Sequence, residues 1–327
     1  MQKFDLYDLE IDLHEQCNLK CLHCSHSSPH FSNKDPKYSL KQFKEDINFL
    51  SKIANIHSLR LVGGEPLLNK ELLEYVIFLR QNKIAKEVKL FTNGLLLRTV
   101  NPEVFNNLDS LKISVYSNLP KEKIDAIKSN INYVKSIAPA LDIVANEIEY
   151  FLKSNLIEEN TNSDLVKQIY NKCYYAYEHR GVALFNGRLY KCFASRKKHK
   201  LLEAHNKLNE VTKDILDPSK IDSIALNENL DSSALSRFLE KGEPLEACRW
   251  CLGTCGKMVK HEQLKSVDQD IATVEDIDFE AGEIYISNNI LSWDRFYKKM
   301  GDLVHNKFFK LDHLKHYIKM FKFKSFL

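Results

Sequence analysis

The sequence predicts an α/β protein built on parallel strands, and three observations predict it. Strand-like and helix-like runs take turns through the first half of the 327-residue chain, the order that gives parallel strands joined by crossover helices. The unusual residues fall directly after strand-like runs, where ligands bind in such sheets. Hydrophobic residues make up 44% and charged residues 28%, ordinary values for a globular protein with a full core.

Composition narrows the function classes. The start, Met1-Gln2-Lys3-Phe4-Asp5, is acidic where a secretory signal would be apolar, and no stretch reaches the roughly 18 apolar residues of a spanning helix, so a cytoplasmic protein is expected. Eight cysteines in a reducing compartment read as metal ligands or reactive thiols before disulfides. A net charge of +3 gives no reason to expect a nucleic-acid partner. No internal repeat or low-complexity segment is visible.

Residues 8 to 13 alternate polar and apolar as a strand does, and the stretch Cys17-Asn18-Leu19-Lys20-Cys21-Leu22-His23-Cys24 follows. Three thiols leave one iron of a [4Fe-4S] cluster free for another ligand. The spacing also permits a zinc knuckle, with His14, His23, His26 or His30 as fourth ligand. Ser39-Leu40-Lys41-Gln42 reads as a capping box opening a helix with Leu40, Phe43, Ile47 and Leu50 on one side. Residues 59 to 62 form the next strand and run into Gly63-Gly64-Glu65-Pro66. Two glycines at a strand end admit a ligand close to the backbone, and the carboxylate beside them can receive an ammonium group.

A helix capped by Asn69 follows, with Leu72, Val76 and Leu79 inward, then a strand over 88 to 91 ending in Thr92-Asn93-Gly94. A short helix over 101 to 107, a strand over 111 to 116, a helix opened by Pro120 and a fifth strand over 141 to 151 continue the alternation. Asn93, Ser114 and Tyr116 fall at strand ends and are candidate ligand contacts. Past residue 160 a polar helix leads to Cys173, and residues 181 to 192 read as a hairpin turning at Asn186-Gly187. A polar helical insert runs to Pro244, and Cys248-Arg249-Trp250-Cys251 and Cys255 follow. The four thiols Cys173, Cys192, Cys248 and Cys251 suit an iron-sulfur cluster or zinc. Residues 307 to 327 carry six lysines against one aspartate, with apolar residues at helical spacing. Such a tail can lie on an anionic membrane surface or dock on its own domain.

The three-thiol loop followed one strand-helix unit later by Gly-Gly-Glu-Pro resembles the radical S-adenosylmethionine (SAM) superfamily. The resemblance implies a partial (β/α) barrel over residues 1–160, a twitch or SPASM-like auxiliary subdomain over 161–267, and a helical, basic extension over 268–327. It implies two [4Fe-4S] clusters, one on Cys17, Cys21 and Cys24 and one on Cys173, Cys192, Cys248 and Cys251. SAM would lie against Gly63, Gly64 and Glu65, with His23 beside its adenine and Asn93, Ser114 and Tyr116 near its ribose and carboxylate. Reductive cleavage of SAM would yield a radical able to take hydrogen from a substrate C–H, with the electron supplied by flavodoxin or ferredoxin. Similar enzymes oxidise 2-deoxy-scyllo-inosamine or epimerise neomycin C, so a sugar, cyclitol or other glycan substrate is expected. With no extra domain before the first strand, a peptide maturase is the lesser expectation. Cys255, the thiol left over, is expected to return a hydrogen in an epimerisation; dehydrogenation to a ketone and a non-catalytic electron carrier or sensor are the alternatives.

Overall fold

The computed structural model describes residues 2–281 apart from 33, 34, 36, 179, 180 and 241. The basic tail over 307 to 327 lies outside the described residues. Among those described, no helix is long and apolar enough to cross a membrane.

The chain runs β1 (Phe4–His14), α1 (Leu40–Ile53), β2 (Ala54–Gly63), α2 (Leu72–Gln81), β3 (Ala85–Thr92), α3 (Glu103–Asn106), β4 (Ser110–Tyr116), α4 (Lys121–Ile137) and β5 (Asp142–Ile148). Strands β1 to β5 pair parallel in sequence order. Leu9, Ile11, Leu59, Leu61, Leu90 and Leu111 share one face and are fully buried with Phe43, Ile47, Leu50 and Val76 of α1 and α2. Since strand side chains alternate, Glu10, Asp12, Arg60, Lys89, Lys112 and Ser114 face the other way. That opposite face is mostly polar and charged, with Val62 and Phe91 among its residues.

The sequence-predicted fifth strand divides. Its end becomes β6 (Tyr150–Leu152), which leaves the main sheet and pairs antiparallel with β10 (Met258–Lys260). After α5 (Ser163–Lys172), β7 (Ala183–Phe185) joins β1 in parallel, and β8 (Arg188–Tyr190) and β9 (Ser223–Ala225) add antiparallel strands beyond it. The eight-stranded order is therefore β5-β4-β3-β2-β1-β7-β8-β9. Short helices α6 (Lys198–Ala204), α7 (Glu210–Ile215) and α8 (Ser232–Leu239) fill the insert, in which β9 is a strand that helical periodicity did not reveal.

Asn186 and Gly187 turn the hairpin with φ of 43° and 74°, the positive values a type I′ turn needs. The Gly187 N–H donates to the buried Asp46 carboxylate at 2.7 Å, which also accepts from the Tyr38 hydroxyl at 2.6 Å and the Gln42 amide at 2.7 Å. Only half of the predicted capping box forms. Ser39 caps Gln42 N–H, whereas the Gln42 side chain reaches forward to Asp46.

Candidate functional site

The site begins where β1, β2 and β3 end. Gly64 N–H donates to His14 O at 2.6 Å and Glu65 N–H to Gln16 O at 2.8 Å, so the Gly-Gly-Glu-Pro turn lies directly on the backbone entering the three-thiol loop. A Cβ on Gly64 would stand 2.2 Å from Gln16 O, and one on Gly63 2.3 Å from His14 O. The close approach these glycines allow in the structure is thus to the protein's own chain.

Glu65 is fully buried, and its carboxylate accepts from Thr92 Oγ1 at 2.7 Å, Leu67 N–H at 3.1 Å and Asn93 N–H at 2.9 Å. Burial pushes it up to about 7 despite those bonds, which pull the other way. Two bonds fall on Oε1 and one on Oε2, so Oε2 retains a lone pair for a further donor. Asn93 donates its amide to Asn18 Oδ1 at 2.7 Å and toward Cys17 Sγ at 3.7 Å, tying the end of β3 to the thiol loop.

Burial pushes the Cys17 thiol up to about 12, with the charges of Cys24 and Glu65 adding to the effect. Burial raises Cys21 and Cys24 as well, and Cys21 feels both of its neighbours. Three thiols shielded from water, Cys21 buried and Cys17 and Cys24 half-buried, resist ionisation unless a cationic centre neutralises them, which is what an iron-sulfur core does. The donor set fits that group.

His23 adopts a left-handed φ of 58°, its N–H donating to Asp270 Oδ1 at 3.0 Å and its Nδ1 lying 3.2 Å from the same oxygen. His30 Nε2 holds the other carboxylate oxygen at 2.7 Å. Burial alone would raise Asp270, but the hydrogen bonds of the two imidazoles outweigh it and hold the carboxyl well below the usual range. Tyr116 stacks on His261 with ring centres 4.6 Å apart, and Ser114 stands half-buried two residues before it. His261 Nε2 lies 3.3 Å from Cys21 Sγ and Gln263 Nε2 3.6 Å from it. Asp270, His261 and Gln263 escaped the sequence reading, because no motif follows Cys255 and these residues carry no spacing signal.

Cys173 caps α5, Cys192 follows β8, and Cys248 and Cys251 lie around a short turn at 246 to 250. Burial raises Cys173, Cys192 and Cys248, and each is raised further by others of the set, Cys251 among them. Gly253, with φ of 56°, packs so tightly that a Cβ would stand 2.7 Å from Cys173 Sγ, and its N–H donates to Cys251 Sγ at 3.3 Å. These four thiols come together. Cys255 is fully buried with Leu156, Ile169, Leu252 and Ala272, its Sγ donating to Ile169 O at 3.6 Å.

On the polar face a buried charge cluster went unread in the sequence. Asp12 pairs with Arg196 and with Lys197, whose ammonium is 2.9 Å away, and Arg196 also pairs with Glu15. Lys197 reaches His26 Nδ1 at 2.7 Å, and Arg60 lies 3.5 Å from Glu10. Burial would raise Asp12, but Lys197 and Arg196 hold it well below the usual carboxylate range.

The family model of the Radical SAM superfamily matches residues 11–158. A protein named "Probable GTP 3′,8-cyclase" from Saccharolobus islandicus (strain Y.N.15.51 / Yellowstone #2) is 33% identical over 144 residues, 42% of this chain and 44% of that protein. Its namesake from Sulfurisphaera tokodaii (strain DSM 16993 / JCM 10545 / NBRC 100140 / 7) is 32% identical over 165 residues, covering 49% and 48%. The chain therefore spans less than half the length of these curated relatives, and their names do not carry the sugar or cyclitol substrate expected from the sequence. A solved structure of anSMEcpe with bound AdoMet aligns at a TM-score of 0.39 and 16% identity over 57% of this chain and 74% of that one. The matched stretch holds both the three thiols and the turn that lies on their loop, and this supports the radical SAM superfamily for residues 11–158.

Proposed function

We propose that the chain is a radical SAM enzyme, with Cys17, Cys21 and Cys24 holding a [4Fe-4S] cluster. The observation that carries this reading is the meeting of three thiols, one buried and two half-buried, with the Gly63–Glu65 turn at the ends of adjacent parallel strands. When bound, the cluster and SAM supply a 5′-deoxyadenosyl radical that takes hydrogen from an unactivated C–H, and a second cluster on Cys173, Cys192, Cys248 and Cys251 supplies an electron acceptor. The free lone pair of Glu65 Oε2 suits the ammonium of SAM's methionine end. Ser114 and Tyr116 stand at the end of β4, toward the same edge of the sheet. External flavodoxin or ferredoxin provides the reducing electron.

The substrate is polar. Arg60, Lys89 and Lys112, half-buried on the sheet face opposite the helices, suit a hydroxyl-rich molecule better than an apolar one. A sugar or cyclitol oxidised at a hydroxyl-bearing carbon fits this face. Dehydrogenation has more support than epimerisation, because the Cys255 thiol is fully buried in an apolar cluster and turned to the Ile169 carbonyl. A second reading takes a guanine nucleotide as substrate, favoured by the 33% identity to a protein named GTP 3′,8-cyclase across the segment that carries the site.

Anaerobic reconstitution should give about eight irons and eight sulfides per chain and reductive cleavage of SAM to 5′-deoxyadenosine. Replacing Cys17, Cys21 and Cys24 together by Ala should abolish cleavage and remove about half the iron. Cleavage that survives the triple change rules the reading out. Deuterated sugars, cyclitols and GTP, offered side by side, should show which one delivers its label to 5′-deoxyadenosine.

A further inference from the structure

The segment from His261 to Asp270 is folded back over the three-thiol loop, some 240 residues earlier in the chain. Leu22 N–H donates to Glu262 O at 2.8 Å and Leu264 N–H to Lys20 O at 2.6 Å, so the segment runs antiparallel to the loop with Cys21 opposite Gln263. Gln263 is oriented by its own carbonyl, which accepts Lys20 N–H at 3.0 Å. Its NH2 group is thereby turned toward Cys21 Sγ, 3.6 Å away. His261 has no exposed surface, stacks on Tyr116, meets Phe151 edge-on and places Nε2 3.3 Å from the same sulfur. Its other nitrogen, Nδ1, has no hydrogen-bond partner. Nε2 also lies 3.2 Å from Gln263 Nε2; a proton on Nδ1 would be a stranded buried donor, whereas with the proton on Nε2 that N–H and the Gln263 NH2 converge side by side on the one sulfur acceptor.

We infer that His261 and Gln263 are positioning residues that donate two N–H groups to the Cys21 sulfur and set the reduction potential of the cluster it ligates. The inference rests on the reading of Cys17, Cys21 and Cys24 as cluster ligands. Donors to a ligand sulfur stabilise the extra negative charge of the reduced cluster and so raise its potential. Thiolate ligation removes the S–H proton, leaving sulfur as a pure acceptor that both donors can serve. The arrangement gives a late segment of the chain control over an early one.

The test is an anaerobic redox titration of the reconstituted full chain, followed by the spectrum of the first cluster, with the signal of the four-thiol site as internal reference. His261→Phe keeps the ring and its stacking but removes the donor. Gln263→Glu keeps the acceptor for Lys20 N–H but replaces the donor by a carboxylate. At a fixed applied potential each should lower the reduced-to-oxidised ratio of the first cluster about tenfold, a shift of about 59 mV for one electron. His261→Gln, which restores an N–H, should recover part of it. A signal from the four-thiol site that stays in place marks the shift as local. An unchanged potential in both variants, or a first cluster that assembles in neither while native protein holds it, overturns the inference. Native protein that holds no cluster on the three thiols overturns the functional reading along with it.

Discussion

Glu65 shows how one buried carboxylate joins the fold to the site. Three donors from β3 and the turn hold it, yet burial leaves it at about 7, above the usual 4.5. A group raised in the folded state contributes stability fully present below its unfolded value and lost as pH rises through the folded one. The difference in unfolding free energy between native protein and Glu65→Gln, measured without SAM, should therefore fall by about 2 to 3 kcal/mol from pH 5 to pH 8. Parallel pH profiles would show that the carboxylate is not held as described. The same variant should bind SAM about 1.5 to 3 kcal/mol more weakly at neutral pH if the lone pair on Oε2 receives an ammonium. Glu65 was legible in the sequence because its neighbours are glycines after a strand. Asp270 was not, since an aspartate 247 residues from His23 announces nothing about where it folds.

At the scale of elements, local rules served well wherever contacts are local. The amphipathic stripe of α1, the Asn-Gly turn between β7 and β8 and the strands leading into the thiols all follow from spacing and turn chemistry. They served less well where an element trades a local partner for a distant one. Gln42 leaves its cap for Asp46, and the predicted fifth strand breaks so that β6 can pair with β10 about 100 residues on. The Gly63-Gly64 turn gives a sharp test of such a docking. Gly64→Ala would press a Cβ to 2.2 Å from Gln16 O, backbone that cannot swing aside. We expect a loss of about 2 to 4 kcal/mol in unfolding free energy together with poorer iron retention at the three-thiol loop. Gly242→Ala, where a Cβ meets nothing within 4 Å, should change neither. Equal behaviour of the two variants would mean that the turn does not depend on this contact.

Across the whole molecule, residues after 160 return to β1 in several places, and the sequence gives no sign of it because burial of charge has no periodicity. Arg196, Lys197 and Lys198 are three consecutive basic residues, yet all three are buried, the first two against Asp12 of β1 and the third donating to Asn155 at 3.0 Å. Buried ions are costly to desolvate, so such pairs stabilise little relative to apolar packing, but losing one partner strands the other. Asp12→Asn keeps an acceptor oxygen but removes the buried negative charge, leaving Lys197 the His26 imidazole and the Phe193 ring and Arg196 the Glu15 carboxylate and the Phe185 ring. That change should cost about 3 to 5 kcal/mol in urea unfolding, with the loss felt where β7 and the 195 to 198 segment meet β1. Glu243→Gln breaks an ion pair of similar length, 3.0 Å to Lys167, but an exposed one that water and salt already screen, and should cost less than about 1 kcal/mol. If the two substitutions cost the same, the charge cluster does not bind the later segment to β1, and that junction rests on the strand pairing of β7 and its apolar contacts alone.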